Sequence, residues 1–535
     1  MNNISQIYRP NYIWAILFFL LFNNIFGASR SITGIVLDSE TNEVIPNAVI
    51  KILEIPKIFT CNDEGTFSIS DVEFGNYTFV LKHIGYKENV SKITIDEKTN
   101  KLLAFYLIPK NIELDPVIVS DYKSFSKFDD LQELSSVLKG KELQKQLGLT
   151  LASTLKNEAG LAMRSMGPAP SRPVIRGLGS NRVMISEDGI KTVDLSATSP
   201  DHAVTIDPFT IDRIEVLRGP KVLTQTSTTI GGVVNTIRNE IPTTLHDDLT
   251  GSIGAYGETV NSGYLGSLNL EYPISNFAFR GEVSKRRSLD LNTPVGKLKN
   301  SDSENLNYSF AGSYFPEFGV MGISFRSFNL DYGIPGGFIG AHPKGVNIDI
   351  TKNQFNFLNK ISFEKSTIEN INLTFSRVYY RHKEFEASGA IGSEFEIKNY
   401  LGKLDLNHSK YGIFSNGIIG ASGEYKDFNI GGFVFTPPST HLNISTYFFE
   451  NIDINKFKIE FAGRYNFDKI TPQKENPDSK IGNIRERIFN TFSLSLSLLY
   501  EVSNVVFVGA NISKSSRTPT IEELFSQGPH LAAYS

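Results

Sequence analysis

The chain has 535 residues, a formal net charge of −4 at pH 7 and one cysteine, Cys61. This length is more than one compact domain normally holds, and a nucleic-acid-binding protein would need a basic face that the charge balance does not suggest. One cysteine excludes a disulfide within the chain and a cysteine-rich metal site. No long apolar run follows the N-terminus, which argues against ordinary transmembrane helices but leaves membrane-spanning β-strands possible.

The first 29 residues have the pattern of an export signal. Arg9 supplies positive charge, residues 13–22 form a short apolar core, and small residues follow at Gly27, Ala28 and Ser29. A membrane anchor is the alternative, but the apolar run is too short to span a bilayer. We therefore predict a signal peptide over residues 1–29 that is cleaved on export.

Residues 30–110 read as a small β-sandwich. Short alternating segments at residues 32–38, 46–52, 66–70 and 75–81 are separated by Gly, Pro and Asp turns. The spacing resembles the carboxypeptidase-regulatory-like domain, although Asn47 stands where that family usually has glycine. No catalysis is expected from this domain, and a generic β-sandwich is the alternative.

Residues 131–243 contain five motifs in a fixed order. They are Ile175-Arg-Gly-Leu-Gly-Ser-Asn-Arg-Val183, Glu187-Asp-Gly189, Ser199-Pro-Asp-His202, Arg213-Ile-Glu-Val-Leu-Arg-Gly-Pro220 and Ile230-Gly-Gly-Val-Val-Asn235. The order resembles the plug domain of TonB-dependent outer-membrane receptors, which implies a domain that closes the lumen of a large β-barrel. We expect carboxylates of the barrel opposite the plug residues Arg176, Arg182, Arg213 and Arg218, because unpaired buried charge is costly.

A short extended apolar segment lies in the polar linker over residues 111–130. Its residues are Asp115, Pro116, Val117, Ile118, Val119 and Ser120. An ordinary edge strand is one interpretation. In its position before a plug-like domain, the segment resembles a TonB box, which would pair by β-augmentation with the periplasmic TonB protein.

Residues 244–535 alternate apolar and polar side chains in about thirteen segments. In one of them Leu268, Leu270 and Tyr272 alternate with Asn269 and Glu271. Short turns alternate with long polar loops, among them residues 333–351 and 426–440, as in outer-membrane barrels. A soluble sandwich would show the same alternation. The predicted fold class is therefore mostly β, with a β-sandwich domain, an α+β plug domain and an incomplete antiparallel transmembrane β-barrel.

The strand count implies a missing part. Receptors of this family close with roughly 22 strands, so we expect that the C-terminal third of the barrel is absent and that the chain as given would not form a working pore.

Three segments together resemble the zinc-uptake branch of the receptor family. They are Ser199-Pro-Asp-His-Ala-Val204, Tyr332-Gly-Ile-Pro-Gly336 and Ser516-Arg-Thr-Pro-Thr-Ile-Glu-Glu-Leu-Phe-Ser-Gln-Gly-Pro-His530. The resemblance implies that Asp201 and His202 are metal ligands at the plug apex, with His530 as the candidate from the barrel. Imidazole and carboxylate groups suit a four-coordinate Zn²⁺ site.

The remaining ligand and the cargo both stay open at this point. His441 and Glu424 also lie near the predicted outer rim and are alternative fourth ligands. The loop after Gly336 carries one histidine, His342, where the zinc branch often has several. A siderophore, haem or another organic cargo is the alternative to zinc.

The predicted function is import of a scarce extracellular cargo across a Gram-negative outer membrane. The expected partners are TonB, outer-membrane lipid and a metal ion or metal chelate; neither nucleic acid nor a prosthetic group is expected, and Zn²⁺ is the predicted cargo. An enzyme is not indicated, since the chain has no Gly-x-Ser-x-Gly, His-x-x-Glu or P-loop motif. A surface adhesin is the other alternative, but it would have no use for a plug or a TonB box.

Overall fold

A computed structural model describes thirteen stretches of the chain, and they fall into two compact units, Met1–Leu114 and Asp115–Ser535. The described residues are 29–39, 41–55, 58–83, 86–96, 99, 102–108, 136–226, 231–336, 343–363, 366–434, 436–477, 483–503 and 506–526. The predicted signal peptide (up to residue 28), the predicted TonB box and His530 lie outside them. Within these stretches, no helix is long and apolar enough to cross a membrane.

The first unit is a sandwich of two sheets, as the alternation predicts. Its strands are β1 Ser29–Asp38, β2 Val49–Ile52, β3 Ile58–Thr60, β4 Thr66–Glu73, β5 Gly75–Lys82, β6 Asn89–Ile95 and β7 Leu102–Leu107. The sheet orders are β4-β1-β7 and β3-β2-β5-β6, and β1 and β7 run parallel. Asn47 has a φ of +59°, a left-handed conformation that asparagine adopts more readily than other non-glycine residues, so it can stand where related domains have glycine.

The predicted plug region folds as a small α+β domain. Its elements are β8 Ser136–Lys139, α1 Gly140–Gln146, α2 Leu151–Leu155, β9 Leu161–Ser165, β10 Ser171–Ile175, β11 Val183–Glu187, β12 Ile190–Lys191, β13 Arg213–Leu217 and β14 Gly232–Ile237, with 3-10 turns at Ser180–Arg182, Pro208–Thr210 and Pro220–Thr224. A central sheet has the order β12-β11-β14-β13-β8. The side chains of Ile185, Ile214 and Val234 are buried in its core.

The rest of the second unit is dominated by one antiparallel sheet of thirteen strands in chain order, which confirms the predicted count. The strands are β15 Thr250–Glu258, β16 Gly263–Ile274, β17 Phe277–Ser288, β20 Ser303–Tyr314, β21 Gly319–Ile334, β22 Val346–Ser362, β23 Ile368–Glu386, β24 Ile391–His408, β25 Asn416–Gly432, β26 Ser439–Ile454, β27 Phe457–Pro472, β28 Arg487–Ser503 and β29 Val506–Lys514. A small hairpin of β18 Leu291–Thr293 and β19 Gly296–Leu298 lies in one connection, and α3 Ile521–Phe525 follows β29.

The two faces of this sheet differ as the alternation predicts. Leu268, Leu270 and Tyr272 on β16 are exposed on the outer face. Phe328, Leu330 and other apolar side chains on the inner face of β21 to β25 are buried with plug residues in one cluster. Apolar residues thus point outward around the sheet while its inner face encloses the plug, as in a plugged membrane barrel.

The bounds of two predicted long loops are wrong. Residues 426–440 are mostly strand, because β25 continues to Gly432 and β26 begins at Ser439. Residues 333–351 likewise include the end of β21 and the start of β22. In these outer parts the alternation continues with the opposite polarity: apolar side chains such as Ile348 and Phe428 face the plug and polar ones face outward, so the pattern of the apolar band does not carry over.

Candidate metal centre

The candidate site lies where an irregular plug loop, residues 192–207, meets the inner face of the sheet. Asp194 fixes both ends of this loop: it accepts hydrogen bonds from the backbone N–H and hydroxyl of Ser196 and from the backbone N–H of Thr205. Ala203 is buried in the apolar cluster that the loop shares with the sheet. The loop is therefore held at defined points although it has no regular secondary structure.

The ring of His202 is oriented by this loop. Its Nδ1 lies 3.1 Å from the carbonyl oxygen of Leu195 and 3.2 Å from the hydroxyl of Thr198. A carbonyl can only accept, so Nδ1 carries a proton and Nε2 is directed at the sheet. An outer hydrogen bond of this kind fixes the tautomer and the ring plane of a metal-binding histidine.

Two residues of β23 complete the cluster. His382 and Glu384 are two positions apart on one strand, so both side chains point to the inner face. Glu384 Oε1 is 3.0 Å from Nε2 of His202 and 3.4 Å from Nε2 of His382. The ligand atoms of these three residues all lie within 4.8 Å of one another.

The surroundings of His382 also leave its Nε2 available to bind a metal. Its Nδ1 is 2.9 Å from the hydroxyl of Tyr380, and its Nε2 makes no hydrogen bond among the described residues. The rings of His202 and His382 are 4.5 Å apart, and Phe395 packs edge-on against both. Both Nε2 atoms are thus directed at one carboxylate inside an apolar enclosure.

Asp201 is the fourth group near the centre. Its Oδ1 is 3.8 Å from Nε2 of His202 and accepts a short hydrogen bond from the hydroxyl of Ser199. The side chains of His202 and His382 are 1% and 0% exposed, whereas that of Glu384 is 16% exposed. Glu384 therefore forms the more open edge of the cluster.

The charge state of His202 follows from these neighbours. Burial by itself lowers the pKa of this imidazole, but the carboxylates of Asp201 and Glu384 outweigh burial and raise it to about 9. Without a metal, His202 is thus an imidazolium at neutral pH, and a metal ion would have to displace its Nε2 proton.

Tyr332 holds the plug loop of residues 192–207, called the apex loop below, against the sheet. Its hydroxyl donates to the carbonyl oxygen of Asp201 at 2.8 Å and accepts from the backbone N–H of Ala203 at 3.0 Å. This tyrosine opens the Tyr332-Gly-Ile-Pro-Gly336 segment singled out above, so two segments noted separately in the sequence meet at one place. Their meeting fixes the backbone on both sides of His202.

The structure brings together only part of the predicted ligand set. Asp201 and His202 lie at the centre, while the contacts of His530 are outside the described residues. His441 is bonded to Asp468 at 2.8 Å, and Glu424 lies 3.6 Å from the ammonium of Lys191, so neither alternative fourth ligand joins the cluster. Neither His382 nor Glu384 was anticipated, although a His-x-Glu pair with strand period was visible in the sequence.

Comparisons with known proteins agree with this architecture. Residues 231–535, more than half of the chain, match the family described as TonB dependent receptor-like, beta-barrel. The chain belongs to the TonB-dependent receptor family. Residues 129–233 match the TonB-dependent receptor plug domain and residues 32–119 the CarboxypepD_reg-like domain. Members of this family are receptors and transporters rather than enzymes.

Solved receptors share the fold at low sequence identity. The copper transporter OprC superposes with a TM-score of 0.62 at 14% identity, covering 72% of this chain and 64% of that one. The Serratia marcescens hemophore receptor HasR, solved with its hemophore and haem, gives 0.63 at 13% identity, covering 75% and 66%. This chain thus spans about two thirds of the length of these receptors. A hemin receptor of Yersinia pestis is 30% identical over 102 residues, 18% of this chain and 14% of that receptor.

A buried ion network joins the plug of this receptor to its barrel. Glu187 of the plug is 2.7 Å from Arg326 and 3.3 Å from Lys352, both on the barrel wall, and 3.5 Å from Arg238 of the plug. Burial alone raises the pKa of Glu187, but these three cations lower it to about 2. The network keeps Glu187 ionised and fixes the plug to the barrel wall.

The expectation of a barrel carboxylate is wrong for one of the four plug arginines. Arg213 pairs with Glu215 of the plug itself at 2.9 Å. In the network around Glu187 the carboxylate belongs to the plug, and two of its three cations, Arg326 and Lys352, belong to the barrel. The one barrel carboxylate there that bonds a plug arginine is Glu282, and its partner is Arg238, which was not among the four named.

Proposed function

We propose that this receptor binds a zinc ion at the His202–His382–Glu384 centre and passes it to the periplasm when TonB displaces the plug. The observation that carries the proposal is the convergence of two imidazole Nε2 atoms and one carboxylate oxygen from the plug and the barrel. Two histidines and one acidic residue are an established protein ligand set for zinc.

The distances suit zinc in this position. Bonds of 2.0–2.1 Å in a tetrahedral shell place neighbouring ligand atoms about 3.3 Å apart. The two contacts of Glu384 Oε1, 3.0 and 3.4 Å, lie on either side of that separation. Asp201 Oδ1, at 3.8 Å from Nε2 of His202, is close enough to become the fourth ligand with a small side-chain movement.

The charges also suit a divalent cation. Two neutral imidazoles and the carboxylates of Asp201 and Glu384 would give a complex with Zn²⁺ that carries no net charge. A neutral complex is what an enclosed apolar site can hold, because an uncompensated charge there would lose its hydration without replacement. The near-complete burial of both rings favours a bare ion over a haem or siderophore, which would need the surrounding side chains to separate.

The division of the site between plug and barrel suggests how the ion would be released. Asp201 and His202 belong to the plug, whereas His382 and Glu384 belong to the barrel wall. Movement of the plug would separate the two pairs, and two ligands hold zinc far less tightly than four. The energy would come from TonB pulling on residues 115–120 after β-augmentation.

Zinc binding by the purified protein in detergent, measured by titration calorimetry, tests the site. We expect His382→Gln and Glu384→Gln to weaken zinc binding by about 100-fold or more, since loss of a mere outer-shell partner costs 10- to 100-fold. His441→Gln is the matched control, because that histidine is bonded to Asp468 away from the centre. Unchanged affinity in His382→Gln would contradict the site; haem or ferric-chelate binding by a wild type that does not bind zinc would assign an organic cargo.

Uptake of radioactive zinc by cells tests the transport step separately. Ile118→Pro should abolish uptake while zinc binding persists, because proline removes a backbone donor from the strand that pairs with TonB. Val117→Ile is the control, since it keeps the β-branched side chain and the backbone donor. Full uptake by the proline variant would show that this segment does not couple the receptor to TonB.

A further inference from the structure

The outward face of β23 carries two arginines that make no ion pair with a described residue, and one of them lies in a row of aromatic side chains. On this strand Leu373 and Phe375 are exposed on the outer face, and Arg377 follows two residues later on the same face. Arg381 and Lys383 continue the outward series toward the end of the strand that bears the metal centre. The change from apolar to cationic side chains marks the point where the strand leaves the hydrocarbon layer.

The register across neighbouring strands fixes that level. Arg377 is directly paired with Phe355 of β22 on one side and with Tyr400 of β24 on the other. The same row continues through Phe325 and, beyond Tyr400, through Tyr425. Aromatic rings of this kind lie at the headgroup level of a membrane, so Arg377 interrupts an aromatic belt next to lipid headgroups.

Two cations on this face have carboxylate partners. Lys383 lies 3.4 Å from Glu394, and Lys398 lies 2.9 Å from Glu396. Glu396 also accepts a hydrogen bond from the hydroxyl of Tyr379. The carboxylates of β24 are thus already engaged.

Arg377 and Arg381 are different. Neither forms an ion pair with any residue that the structure describes, and Nε of Arg381 is buried without a hydrogen-bond partner. Arg381 stands directly across from Glu396, but that carboxylate is held by Lys398. On the β23–β24 face Lys383 and Lys398 are therefore paired with carboxylates, whereas the guanidinium groups of Arg377 and Arg381 make no ion pair with a described residue.

We infer that Arg377 and Arg381 bind phosphate groups of lipids in the outer leaflet. A guanidinium binds phosphate through two parallel hydrogen bonds. The two residues are four positions apart, or roughly 13 Å along a strand, far enough for each to hold a separate phosphate. An acyl chain below the phosphate at Arg377 would lie against Leu373 and Phe375. The inference rests on the outer-membrane location proposed above but does not depend on the zinc cargo.

Native mass spectrometry of the whole protein in detergent tests the inference. The probe is dioleoyl phosphatidic acid, compared with dioleoylglycerol, which has the same acyl chains but no phosphate. Wild type should retain two phosphatidic acid molecules in preference to the neutral lipid. Each of Arg377→Gln and Arg381→Gln should retain one fewer, with about ten-fold weaker binding at the altered position.

Lys383→Gln is the matched control. Lys383 also points outward on β23, but its ammonium is paired with Glu394, 3.4 Å away, so its loss should leave lipid retention unchanged. Equal retention by wild type and by Arg377→Gln/Arg381→Gln would overturn the inference, as would an equal loss in Lys383→Gln. Displacement of the lipid by millimolar inorganic phosphate would identify a site for free phosphate and would also overturn the lipid assignment. No zinc is present in this assay, so its outcome is independent of the proposed cargo.

Discussion

Zinc binding at the proposed centre should release one proton near neutral pH. The pKa of His202 is raised to about 9 by Asp201 and Glu384, so its Nε2 is protonated at pH 7.5 and must lose that proton before it can bind a metal. A second proton on His382 would place two imidazolium rings 4.5 Å apart. The metal-free site should therefore hold one proton rather than two.

The pKa shift gives the expected magnitudes. The apparent zinc affinity should rise about ten-fold for each pH unit up to pH 9 and then level off, because one proton competes with the ion. The metal-free protein should behave in the opposite way. A raised folded-state pKa adds stability that is complete below the unfolded value of about 6.5 and is lost as pH rises through 9, a difference of about 3 kcal/mol.

Calorimetry in two buffers of different ionisation enthalpy measures the proton directly. At pH 7.5 the difference between the two binding enthalpies should correspond to about one proton released per zinc. His246→Gln is the control, since His246 is far more exposed than His202 and should not contribute. Zinc binding without proton release would refute the reasoning, because it would mean that His202 is neutral in the metal-free protein or is not a ligand.

Three further changes test how the plug is held. Glu187→Gln removes the one carboxylate shared by three buried cations and should lower the free energy of unfolding by about 3–5 kcal/mol in urea; Glu215→Gln, whose partners all lie within the plug, should cost less. Gly232→Ala should destabilise the plug more than Gly177→Ala in thermal unfolding, because both have positive φ but only the former would place Cβ 2.6 Å from a backbone oxygen. Tyr332→Phe should weaken zinc binding about ten-fold in the calorimetric assay by freeing the backbone around His202; unchanged affinity would show that packing alone holds the apex loop.

Much of the fold could be predicted because the barrel pattern is local. Alternation along β16 and in the corresponding segments of the other strands gave both the strand count and the face that points outward. The prediction failed at the outer parts of β22 and β25, where the alternation has the opposite polarity: Ile348 and Phe428 face the plug and polar side chains face outward. Strand boundaries outside the apolar band depend on hydrogen-bonded neighbours, which a single sequence does not reveal.

Only one half of the candidate site could be predicted from the sequence. Its plug half, Asp201 and His202, was recognisable as a short local motif. Its barrel half was not, because the contact between His202 and Glu384 joins residues 182 positions apart and depends on strand register. His441 and Glu424 had equal claims in the sequence, since nothing there places His202 nearer to β23 than to β25 and β26.

The divided site has a consequence for how a zinc receptor of this design would work. A ligand that binds only the closed arrangement stabilises it, by about 2.7 kcal/mol when its concentration is 100 times its dissociation constant. Zinc that bridges Asp201 and His202 of the plug to His382 and Glu384 of the barrel would therefore hold the plug in place rather than loosen it. Cargo binding could not open the barrel by itself. The partner that pulls on the plug would have to supply the work of breaking both the metal bridge and the network around Glu187, and the same step would leave the ion with half its ligands.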